Sequence, residues 1–159
     1  MAWMANLGLL PVLSIYGRPL QYWVADNIGY EVTAWIIGLT LLVAICSILL
    51  WLWRRYQSLP LVHLGWFLPL FLLLPLTLDR VEERVHFLSF GAFGLLSLLV
   101  FAPRVAFTLC LLISASDELL QHYLPDRVGD WRDVGFNLLA SCSTASFAWL
   151  TFQRKAGTG

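Results

Sequence analysis

Charge is what this sequence lacks most. Only 13% of its 159 residues are Asp, Glu, Lys or Arg, while 59% are hydrophobic and the mean hydropathy is +0.74. A soluble domain carries roughly a quarter charged residues and about half apolar ones. A chain of this size leaves much of its surface exposed, so a water-soluble fold is excluded and the apolar surplus faces lipid. No nucleic-acid partner is expected.

Paired cysteines are missing as well. Cys46, Cys110 and Cys142 are odd in number, lie in apolar runs and have no C-x-x-C spacing. That pattern argues against a disulfide framework or a zinc site, and the three read as small packing residues. The chain also has no H-E-x-x-H motif, no nucleophile elbow, no internal repeat and no domain-dividing linker. The N-terminus lacks the basic n-region of a secretory signal. Residues 1–27 are therefore expected to be retained as an interfacial segment, apolar but interrupted by Pro11.

What the chain does have is long apolar runs. About 20 apolar residues cross a bilayer core, and the runs 28–53, 59–78, 85–102, 105–124 and 134–152 qualify. The predicted fold is all-α, an integral membrane bundle of about five transmembrane helices. It occupies 28–153 and is followed by a short basic tail at 154–159. Pro60, Pro69 and Pro75 lie in the second run, where a kink is expected near Pro69. Gly91 and Gly94 permit close helix contact in the third, and the Ser, Ala and Thr content of the fifth suits tight packing.

Five spans divide the basic residues evenly. Arg18, Arg80, Arg84, Arg127 and Arg132 fall on one side; Arg54, Arg55, Arg104, Arg154 and Lys155 fall on the other. All ten acidic residues lie on the first side. The Arg54-Arg55 and Arg154-Lys155 pairs abut helix ends without acidic neighbours, where anionic cytoplasmic lipid attracts them. The expected placement is therefore the inner (plasma) membrane, multi-pass, with the N-terminus outside and the C-terminus in the cytoplasm.

Polar chemistry collects at the acidic end of the third, fourth and fifth runs. Ionisable residues at membrane depth are expensive and turn inward to pair. Two readings stay open. The first is an ion-pair network of Glu118, Arg127 and Asp133 that ties helix ends together. The second is an outward-facing pocket that grips a head group or does acid–base work. Glu118 and Asp133 are expected to face each other across the last two helices. A metal centre drawn from His86, Glu118, His122, Asp130 and Asp133 has one usable helical pair, Glu118 and His122, but no accompanying repeat. No metal is predicted. His63, within the second run near Trp66, is a weak candidate cofactor ligand; no cofactor is predicted.

The order Glu118-x-x-Gln121, Pro125-x-Arg127, Asp130, Asp133 and Asn137 resembles the VanZ-like family of small membrane proteins. Arg84-x-His86-Phe87 resembles that family's basic-x-x-His-Phe element, with one spacer residue fewer. The resemblance covers residues 83–150, and the N-terminal part shows no signature of the family. Ala140 stands where the family usually has glycine, a departure expected to loosen helix packing there. The resemblance implies that Glu118, Gln121, Arg127, Asp130, Asp133 and Asn137, with His86, form the polar site. It implies an envelope role like glycopeptide resistance, binding or acting on lipid-linked or envelope components. Membrane lipids are the expected partners. The alternative is a non-catalytic accessory subunit stabilising a larger membrane or pigment–protein complex.

Overall fold

Proline and glycine set the helix boundaries. In the computed structural model, which describes residues 1–56, 61–77, 81–124 and 130–156, all described regular structure is helical. α1 spans Ala2–Ile28 and α2 spans Tyr30–Tyr56. Between them Gly29 adopts a φ of 99°, a left-handed conformation that costs glycine little. Its amide donates to the Ala25 carbonyl at 2.8 Å, closing α1, and Thr33 Oγ1 donates to the Gly29 carbonyl at 2.8 Å, opening α2. α3 spans Leu61–Leu72, followed by a short 3-10 helix at Leu74–Thr77. α4 spans Val81–Val100, α5 spans Pro103–His122 and α6 spans Trp131–Ala156. Pro103 sits in the first turn of α5, where a missing amide proton costs nothing.

The expected second span differs from what forms. α3 accommodates Pro69 but stops at Leu72, about 18 Å long at 1.5 Å per residue. Pro75 explains the stop: its ring clashes with the carbonyl four residues back, and it disfavours α geometry at Leu74. The break thus falls after Pro69, not at it. Among the described residues, two helical stretches have the length and hydropathy to cross a membrane, Tyr30–Trp51 and Glu83–Val100. α5 and α6 carry more charge, including Asp117, Glu118, Arg132 and Asp133.

The chain forms two units, Met1–Arg18 with His86–Gly159, and Pro19–Val85. In the first, α1 runs antiparallel to α4. Trp3 Nε1 donates to Ser97 Oγ at 2.8 Å, and eleven residues later Ser14 meets His86, eleven residues back along α4. The two helices therefore lie side by side for about 16 Å. Trp3 also sets its ring edge-on to Phe101, centroids 5.0 Å apart. Pro11 lies inside α1 without ending it. The N-terminal stretch, expected at the surface, is a helix of this unit that packs along α4. Both chain ends of the unit consequently lie at the same end of the bundle, whereas the sequence reading puts them on opposite sides.

Small residues bring the other helices close. α5 and α6 pack along each other, and α5 turns Ala106, Cys110, Ser114, Asp117, Glu118 and Gln121 inward at helical spacing. α4 meets α6 at Gly94, where an added Cβ would lie 1.9 Å from the Ser141 carbonyl oxygen. Thr144 Oγ1 donates to the Gly91 carbonyl at 2.7 Å across the same contact. Ala140 is fully buried, and the closest approach falls on its neighbour Ser141. Such close packing and interhelical hydrogen bonds hold the bundle together. Phe87, Phe90, Phe93 and Phe147 fill the remaining interior.

The second unit is apolar and thinly buried. Phe67 and Phe71 stack with centroids 4.6 Å apart, and Trp66 meets Phe67 edge-on. α2 buries Thr33 and Ile45 and leaves Trp35, Leu39, Trp51 and Trp53 exposed.

Candidate functional site

A carboxylate on an apolar helix must find donors, and Asp117 finds them on two other elements of the first unit and on its own helix. Ser14 Oγ of α1 donates to Asp117 Oδ1. Gln121 Nε2, one turn along α5, donates to Asp117 Oδ2 at 2.8 Å. His86 Nε2 of α4 lies 3.1 Å from Ser14 Oγ and 3.9 Å from Asp117 Oδ2. All four residues are at least nine-tenths buried, Ser14 completely. The serine hydroxyl has one proton and a carboxylate only accepts. The arrangement that satisfies the trio has Ser14 donating to Asp117 and accepting from a protonated His86 Nε2.

These are the residue types of a nucleophilic triad, but the geometry is different. In a triad the base faces the serine with one ring nitrogen and the carboxylate with the other. Here the same nitrogen faces both, and the serine gives its proton directly to the carboxylate. The trio works as a polar tie between α1, α4 and α5. Such a tie is favourable only when every member is satisfied.

Glu118 lies beside it and is 6% exposed. The backbone amide of Asp130, at the start of α6, donates to its Oε1 at 2.5 Å. Its Oε2 is buried without a hydrogen-bond partner among the described residues. The charges of Asp133, Asp117 and Asp130 all bear on it. Asp130 is exposed, its Oδ1 accepting from the Arg132 amide at 2.9 Å. Asp133 is half-buried, 3.8 Å from the Arg132 guanidinium. Asn137 is buried on α6.

Of the residues expected at the site, His86 and Gln121 join the Asp117 network, and Glu118, Asp130 and Asp133 gather at the α5–α6 end. Arg127 lies outside the described residues. His122 is exposed and rings against Tyr123. His63 belongs to the second unit, where Trp66 Nε1 donates to its Nδ1 at 3.3 Å. Among the described residues no three His, Cys, Asp or Glu side chains converge as a metal site.

Two members went unrecognised in the sequence, Ser14 and Asp117. Asp117 carried a signal, since an acid deep in an apolar run must be paired and it stands next to Glu118. Ser14 carried none, because a serine on an apolar helix commonly satisfies itself on its own backbone, and the Leu10 carbonyl, 3.1 Å from Ser14 Oγ, competes with Asp117 for its single proton.

No curated protein and no solved structure matches the chain. The VanZ/LLP1 family model, by contrast, matches residues 3–152. The match takes in α1 and Ser14 as well as the 83–150 region that carries the motif residues. With the two apolar helices, it points to association with a membrane. The chain belongs to the VanZ/LLP1 family.

Proposed function

We propose that this chain is a multi-pass protein of the bacterial inner membrane whose polar end binds the head group of a lipid-linked envelope component. The observation that carries the reading is Glu118. A buried carboxylate with one oxygen unpartnered among the described residues is expensive at membrane depth, and ionisable groups there mark functional sites by default. The adjoining network holds Asp117, His86 and Gln121 in fixed geometry. Glu118 is thus left as the group available to a ligand's hydrogen-bond donor. The family, named for a glycopeptide-resistance protein, supports an envelope role.

The antiparallel course of α1 and α4 supports an orientation. If α4 crosses the bilayer, α1 crosses beside it in the opposite direction, and both termini share one side. The Arg154-Lys155 pair in the sequence favours the cytoplasm for that side, which supports an N-terminus inside and an α5–α6 acidic end facing out. A green fluorescent protein fused at either terminus should fluoresce, since it folds in the cytoplasm. Alkaline phosphatase inserted at 126–129 should be active, since it folds only after export.

The function is tested by Glu118→Gln in a glycopeptide-sensitive bacterial host. The wild-type chain should lower susceptibility to teicoplanin, and the variant, expressed to the same level, should not. Equal protection by both proteins would remove Glu118 from the working site.

A further inference from the structure

Carboxylates crowd the α5–α6 end of the first unit, and their surroundings differ. Asp117 accepts from Ser14 and Gln121 and lies 3.9 Å from His86 Nε2. Asp133 lies 3.8 Å from the Arg132 guanidinium, and Asp130 is exposed. Glu118 is the incomplete one. It is buried, its Oε1 accepts from the Asp130 amide, and its Oε2 has no hydrogen-bond partner among the described residues. The charges that bear on it come from Asp133, Asp117 and Asp130 and share its sign.

That setting narrows what can complete Oε2. A phosphate or carboxylate would add another anion to the cluster. A sugar or glycerol hydroxyl donates a hydrogen bond but brings no positive charge. A trimethylammonium brings the charge but has no N–H to donate. A primary ammonium does both, with three N–H donors, and hydrogen bonds between opposite charges are the stronger kind. We propose that the ligand group held by Glu118 Oε2 is a primary ammonium, carried on a lipid head group of the ethanolamine type. The inference rests on the reading of Glu118 as the working group and names the chemistry that group selects.

The test is a lipid titration of the detergent-solubilised full chain, read by native mass spectrometry with and without magnesium. Three lipids with identical acyl chains separate the two requirements. Phosphatidylethanolamine has charge and donor, phosphatidylcholine charge without donor, and phosphatidylglycerol donor without charge. Phosphatidylethanolamine should bind about tenfold more tightly than either, the gain expected from one charge-assisted bond. Glu118→Gln should abolish that preference. Asp133→Asn, a change at a half-buried position, removes one like charge and should weaken phosphatidylethanolamine without weakening phosphatidylglycerol. Soluble phosphoethanolamine should compete poorly. If it competes as well as the lipid, the ammonium stands and the lipid-linked reading falls. If phosphatidylcholine or phosphatidylglycerol matches phosphatidylethanolamine, in magnesium or without it, and Glu118→Gln weakens all three, the site stands and the ammonium is overturned. If Glu118→Gln leaves every affinity unchanged, both fall.

Discussion

The two units bury their helix faces by different means. The first closes its interior with small residues and polar bonds: Gly94 against Ser141, Thr144 on the Gly91 carbonyl, and Asp117 held by Ser14 and Gln121. The second relies on ring contacts and leaves a groove beside Gly38. Where the hydrophobic effect is absent between helices, close packing and satisfied polar groups make one structure specific.

A matched pair of glycine substitutions should separate them most widely. Gly94→Leu drives a side chain into the Ser141 backbone, and overpacking of that kind costs about 3 kcal/mol or more. Gly38→Leu meets open space and should cost less than about 0.5 kcal/mol, as surface changes do. Thermal melting of helicity in detergent measures both, and similar losses would erase the contrast.

Next in size is the polar tie. Asp117→Ala removes the acceptor that Ser14 and Gln121 share, and each buried hydrogen bond lost costs about 0.5–1.5 kcal/mol. His63→Ala in the second unit removes one half-buried acceptor of Trp66 and should stay near 0.5 kcal/mol. The same melting measurement ranks them. If Asp117→Ala were as mild as His63→Ala, the network would not be holding three helices.

The smallest effect is expected at the far end of α1. Trp3→Phe keeps a ring beside Phe101 but loses the bond to Ser97 Oγ. An interhelical hydrogen bond in lipid is worth about 0.6 kcal/mol, and the melting shift should be correspondingly slight. A loss several times larger would show that the indole's shape, not its donor, secures α1.

Much of this was legible in the sequence, and what was not has identifiable causes. Helical class follows from apolar runs longer than any strand needs, and the gathering of Glu118, Asp130 and Asp133 follows from a short connection between antiparallel neighbours. The role of Gly94 was half visible: the glycine promised a close approach, but the partner Ser141 sits on a helix nearly fifty residues away. The helix boundaries departed from the reading at two prolines. Pro11 looked like a break and is absorbed within α1, whereas Pro75 ends α3, because a proline's effect depends on whether neighbouring helices hold the chain beyond it. Ser14 and the antiparallel course of α1 were invisible, since they rest on contacts with α4 and α5 that no local pattern announces.

The central claim is that α1 belongs to the bundle that carries the site, bringing Ser14 to Asp117 and both termini to one end. The direct measurement is cross-linking of Trp3→Cys with Ser97→Cys by a short bifunctional thiol reagent, in a chain whose three native cysteines are replaced by serine. The account predicts an intramolecular cross-link in native membranes, and none between Trp3→Cys and a cysteine placed at His86, about 16 Å away along α4. A folded protein that fails to link at 97, or links equally well at 86, would contradict it.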